Sequence, residues 1–239
     1  MQAKMNSMRD SHLMAFDFRA PAIARIVPFG VFIAFIALDG TLTELASTLG
    51  MDPRWWYAIR VLVVAWLVIW YWRSYVELAS ARRVSAVQWV LALLVGVVVF
   101  ALWINLNFEP LAFRVTGGFD PRKGAGEIDW ALVATRLAGA ALVVPVMEEL
   151  FWRSFVMRWI QRQDFLGVDP KTVGLRALVI SSALFAIEHH LWFAGLLAGL
   201  MYGGLYIRTG NLWPVVLAHA VTNGMLGAWV VYTGSWSFW

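Results

Sequence analysis

The chain has 239 residues, 61% of them hydrophobic and 14% charged, with 15 Trp and a mean hydropathy of +0.68. A water-soluble fold of this length keeps more charge at its surface, so the composition excludes a soluble globular domain and leaves room for about seven spans of roughly 20 residues. The absence of Cys excludes disulfides and thiolate sites, and the net charge of +4 sits in clusters beside apolar runs, a membrane-orientation pattern rather than a nucleic-acid footprint.

Met1 to Ile26 mixes Lys4, Arg9, Arg19 and Arg25 with Asp10 and Asp17 and lacks a small-residue cleavage site, so it reads as a cytoplasmic lead-in (1–25) and not a signal peptide. Apolar runs follow at Ile26–Leu49, Trp55–Trp72, Ala86–Leu106, Trp130–Ile160, Val173–His190, Trp192–Ile207 and Leu212–Tyr232. Their length and composition predict an all-α, polytopic membrane helix bundle of about seven spans, six to eight. Asp39 and Glu44 make the first run a shorter span followed by a turn. Trp55, Trp56, Tyr57, Trp70, Tyr71 and Trp72 bracket the second at headgroup level and make it the firmest span.

Arg73, Arg82 and Arg83 follow the second run, and Arg158, Arg162, Lys171 and Arg176 surround the fourth-to-fifth connection, which places both loops and the N-terminus in the cytoplasm. Against this stands Leu106–Asp129, an external loop that nevertheless holds Arg114, Arg122 and Lys123. Gly117, Gly118, Pro121, Gly124 and Gly126 mark it as a loop. No linker divides the chain, so it reads as a single membrane domain, with accessory spans at 26–128 and a core at 129–231.

Ionisable groups at membrane depth cost several kcal/mol unless they face a bundle interior or a water cavity. They concentrate in three segments: Glu148, Glu149 and Arg153; Glu188, His189 and His190; and His219 with Asn223. Glu149 and Arg153 stand at i, i+4, the favoured order for a helical ion pair, which leaves Glu148, about 100° round the helix, to face something else. Phe185 and His189 share a face, as do His219 and Asn223. A carboxylate, an imidazole and a His/Asn pair can thus converge from three helices. Glu148 and His189 suit removal of a proton from a water attacking a carbonyl; His219 and Asn223 suit donation to the developing oxyanion. Glu188 and His190 flank His189 and are expected on other faces. Ser181 and Ser182, mid-helix, are expected to bond back to the preceding turn rather than act as nucleophiles. Trp152, Trp159, Trp192 and Trp213 read as packing or belt residues.

At these residues the chain resembles the CPBP family, the CaaX-protease and bacteriocin-processing (Abi) group of intramembrane glutamate proteases. The family's motifs E-E-x-x-x-R, F-x-x-x-H and H-x-x-x-N/D match Glu148-Glu149-Leu150-Phe151-Trp152-Arg153, Phe185 through His189, and His219 through Asn223, and Arg208-Thr209-Gly210-Asn211-Leu212-Trp213-Pro214 resembles the turn before the last motif. The similarity covers about Asp129 to Val231. The first half, with Pro28-Phe29 and Asp52-Pro53-Arg54-Trp55, is similar to the bacterial CAAX prenyl protease-related subgroup found beside exosortase sorting systems.

The resemblance implies proteolysis without metal or other cofactor. Glu148, His189, His219 and Asn223 are then catalytic; Glu149, Arg153, Phe185 and His190 support them. The partners it implies are a membrane-associated peptide or protein substrate, the lipid bilayer and an exosortase system, and the location a bacterial inner (cytoplasmic) membrane with the N-terminus inside. Two other readings stay open: a zinc site of Glu148, His189 and His219, although no H-E-x-x-H is present, and a non-catalytic peptide-binding or immunity protein. For Glu148 and His189 to meet, the fourth run must be one long helix from about Ile128 to Arg162, bent near Pro145. The expected result is a cavity walled by the fourth, fifth and seventh runs and open toward the basic Arg158–Arg176 side.

Overall fold

The structure, a computed structural model, describes residues 20–113, 118–124 and 126–239. Most of the lead-in, including Lys4, Arg9, His12 and Arg19, lies outside the described residues, as do Arg114, Gly117 and the side chains of Arg82 and Arg83. Among the described residues eight helices make up the fold: α1 Pro21–Ala37, α2 Asp39–Thr48, α3 Trp56–Trp70, α4 Ala86–Asn105, α5 Trp130–Gln161, α6 Leu175–Ile187, α7 Trp192–Thr209 and α8 Leu212–Thr233. Among the described residues the only β pairing is an isolated bridge, Arg122 to Ile128.

The helix ends follow from local chemistry. Ser85 and Gln88 form a reciprocal capping box at the start of α4, and the Asp129 carboxylate accepts from the Ala131 and Leu132 amides to start α5. Gly210 ends α7 at φ 65°, and the Asn211 side chain accepts from the Trp213 amide to open α8.

All seven apolar runs are helical. By length and composition alone α4, α5 and α8 can each cross a membrane, and α1 with α2 makes a fourth if that pair, bent by 65° across Leu38, is one span. The tryptophan-bracketed run differs from expectation. Its helix, α3, has 15 residues, about 22 Å, and the aromatic clusters at its two ends turn off into 3₁₀ turns at Pro53–Trp55 and Trp72–Ser74.

The fourth run, by contrast, is the single long helix that the motif spacing requires: 32 residues, about 48 Å. Its backbone is α-helical except at Gly139–Val143 and Leu150–Met157, which are π-helical and flank the α-helical Val144–Glu149.

Packing is closest where side chains are absent. At Gly96 on α4 a Cβ would stand 2.5 Å from the Ala218 carbonyl oxygen on α8; at Gly199 on α7 it would stand 2.9 Å from the Ser182 Cα on α6. These contacts bring α8 against α4 and fold α7 back on α6. Leu62, Ile69, Leu94, Leu142 and Leu175 face outward, as side chains in contact with lipid do.

One buried polar knot ties α1 to the far end of α5. Glu77 pairs with Arg25 at 2.5 Å and with Arg158 at 3.3 Å, and Ser154 donates to the same carboxylate. Arg158 is therefore a buried ion-pair partner and not the loop cation that its place in the sequence suggests.

Candidate active site

The motif residues sit where α5, α6 and α8 meet under α7. Glu148 and Glu149 lie on the short α-helical stretch between the two π segments, and both are buried. Glu149 Oε1 is 3.1 Å from Arg153 Nη1, the expected i, i+4 pair, but it is also 2.8 Å from His219 Nδ1. The carboxylate assigned to helix packing thus positions an imidazole from α8 as well. Arg153 lies over the Phe185 ring at 4.4 Å, and His219 stacks on Tyr202 at 5.1 Å, so the second motif's aromatic and a tyrosine from α7 hold the pair from outside.

Glu148 is placed differently. Its Oε2 is buried with no hydrogen-bond partner, and the imidazole nitrogen measured beside it is His219 Nε2 at 4.0 Å, too far for a direct bond. His189 lies in the turn after α6, where its Nδ1 is 2.9 Å from the Phe185 carbonyl oxygen. A carbonyl only accepts, so Nδ1 carries the hydrogen, and in the neutral ring Nε2 keeps its lone pair. Trp103 of α4 meets that ring edge to face at 5.2 Å.

Asn223 Nδ2 donates to the Ala140 carbonyl at 2.9 Å, and the backbone explains why this oxygen is available. In the first π segment the Val144 amide bonds to Gly139 O, one residue further back than in an α-helix. Its next donor in the π register is residue 145, a proline with no N–H, so Ala140 O is left to a side chain from α8.

Glu148, His189, His219 and Asn223 all line one cavity of about 370 Å³. Two expectations are corrected here. Glu188 and His190 do not turn away: both line this cavity, and Glu188 accepts a 3.1 Å bond from Trp152 Nε1, because the helix ends at Ile187 and the chain changes direction at these residues. Nor does the cavity reach the Arg158–Arg176 side. Its rim carries Tyr57, Arg60, Arg136, Phe238 and Trp239, at the end of the bundle where α5 begins, because α5 is buried by α1 and Glu77 at its other end. Phe119 and the final residue meet at this end, the Phe119 N–H donating to the Trp239 carbonyl.

Among the described residues no three His, Cys, Asp or Glu side chains gather as metal ligands do. Ser181 and Ser182 both donate to the Leu178 carbonyl, as mid-helix serines do. What the sequence reading missed is Arg60, Arg136 and Tyr57. The signal was present: each arginine lies inside an apolar run, under the same cost that singled out the glutamates.

Residues 129–225 match a family model described as type II CAAX prenyl endopeptidase, Rce1-like. The match supports a CAAX-type membrane protease. It takes in all three motifs and begins at Asp129, the N-cap of α5. No curated protein and no solved structure matches the chain.

Proposed function

We propose that the chain is an intramembrane endopeptidase that cuts a peptide bond of a membrane-associated peptide or protein with a glutamate-activated water. The observation that carries this is the place of Glu148: both adjacent glutamates keep one buried carboxylate oxygen without a partner, but Glu148 is the one that lines the cavity holding His189, His219 and Asn223. An unpartnered buried polar atom costs stability and persists where a reaction uses it.

Glu148 accepts a proton as the water oxygen bonds to the scissile carbonyl carbon, while His189 Nε2 accepts the water's other hydrogen and orients it. In its protonated form His219 gives its Nδ1 hydrogen to Glu149 and its Nε2 hydrogen to the oxyanion, and Asn223 donates the amide hydrogen that Ala140 leaves free. When the carbon–nitrogen bond breaks, Glu148 returns its proton to the leaving amine. No step calls for a metal, and a chelator is expected to leave the rate unchanged.

The first-half similarity to a subgroup found beside exosortase systems favours a bacterial cytoplasmic membrane, a cytoplasmic N-terminus and a C-terminal sorting segment as substrate. The test compares the C-terminal peptides of cells carrying the wild-type chain with those carrying Glu148→Gln. A fragment that disappears in the variant supports the reading, and an unchanged peptide set defeats it.

A further inference from the structure

Beside the catalytic cavity lies a second, of about 530 Å³, and three residues line both: Tyr57, Arg60 and Arg136. Both guanidinium groups stack on the Tyr57 ring, Arg60 at 4.9 Å and Arg136 at 4.3 Å, and each lies over a second ring, Phe32 for Arg60 and Phe119 for Arg136. Each Nε is buried with no hydrogen-bond partner, and among the described residues neither arginine makes an ion pair. Nearby Arg54 is already engaged by the Asp52 carboxylate and by the carbonyls of Asp120 and Arg122.

Two like charges held against one ring in the wall between the two cavities repel, and their buried Nε atoms lose hydration. Cation–π contact returns only about 0.5–2 kcal/mol for each. The arrangement is completed by an anion. Asp39 and Asp120 line the outer cavity; Asp120 is already paired with Arg122, and the remaining negative charge of Asp39 disfavours a doubly charged phosphate relative to a singly charged, planar carboxylate, which matches the guanidinium fork.

We infer that Arg60 and Arg136 bind a carboxylate of the substrate, either its C-terminal carboxylate or an acidic side chain, and so set how far beyond the cleaved bond the peptide extends. Arg136 and Glu148 stand 12 positions apart on α5, about 18 Å along the axis and the reach of about five extended residues. The inference rests on the proteolytic reading for its purpose but not for its binding chemistry.

The test measures binding to the detergent-purified Glu148→Gln chain, so that no probe is consumed. The probes are an N-acetylated hexapeptide of leucine and alanine as free acid, the same peptide as its amide, and the amide with glutamate as last residue. The free acid is expected to bind at least about 10-fold more tightly than the plain amide, equivalent to about 1.4 kcal/mol. Arg60→Gln and Arg136→Gln each abolish that ratio, and Arg60→Lys, which keeps the charge and loses the fork, retains part of it. Tightness in the glutamate amide equal to that of the free acid assigns the carboxylate to a side chain; weakness there assigns it to the terminus. Equal affinity for acid and amide overturns the inference, as does a ratio that survives both glutamine substitutions, or displacement of the acid by phosphatidylglycerol but not by acetate. Cleavage by Glu148→Gln removes the proposed catalysis and leaves an acid preference standing, so the two failures are distinguishable.

Discussion

Glu149→Ala separates the two adjacent glutamates, because they differ in partners and not in burial. The substitution removes the acceptor shared by Arg153 and His219 and leaves Arg153 as a buried charge between the Phe185 and Tyr202 rings without its ion-pair partner. Removing one partner of a buried pair costs about 3–5 kcal/mol. At about 2–4 °C per kcal/mol for a chain of this size, the melting temperature should fall by about 6–20 °C. Tryptophan fluorescence during thermal unfolding in detergent reads it, with 15 Trp as reporters. Glu148→Ala removes a carboxylate whose Oε2 has no partner, and its melting temperature should stay level or rise while turnover is lost. Glu149→Ala with Arg153→Met removes both charges and should recover part of the single-variant loss. Equal falls for Glu148→Ala and Glu149→Ala would refute the division between a reacting carboxylate and a positioning one.

Asn223→Ala should cost about 1–3 kcal/mol of stability by orphaning the Ala140 carbonyl. It should also lower turnover by about 100-fold or more if the amide serves the oxyanion; unchanged turnover would remove Asn223 from the mechanism. Gly96→Ala should lower the melting temperature through a loss of about 1–3 kcal/mol, because its Cβ meets the Ala218 carbonyl backbone and neither helix has a flexible end there to yield. Burial alone pushes the Glu77 carboxyl up, but the Arg25 charge and hydrogen bonds from Arg25 and Ser154 outweigh it and hold the group below the usual carboxylate range. Its stabilisation is present above the unfolded value of about 4.3 and is lost as pH falls through the lower folded value. The wild-type melting temperature should therefore drop more steeply below about pH 4 than that of Glu77→Gln. Parallel curves would show the knot to be uncoupled from folding.

The long α5 was legible because Glu148 and His189 cannot share a water unless the helix carries the glutamates to mid-depth, a constraint of length alone. The Glu149–Arg153 pair was legible from spacing. The Glu149–His219 bond was not, because it joins positions 70 apart and depends on where α8 settles against α4, which the bare side of Gly96 decides. The side on which the cavity lies was misread for a related reason: Arg158 counts as a loop cation in sequence and is spent inside on Glu77. Asp39 and Glu44 had already placed the turn in the first run, whereas the short α3 hid behind aromatics that mark an interface without measuring the distance between its two sides.

The π segment at Gly139–Val143 has a consequence for how this chain can vary. A π turn holds one residue more than an α turn, so the segment is physically a single-residue insertion absorbed without shifting either end of the helix. Deleting one residue there restores α-helix, keeps Arg136 and Arg158 anchored at their ends, and closes the gap into which Asn223 donates. The extra residue makes the third motif's amide part of the first motif's helix, so the two can change only together.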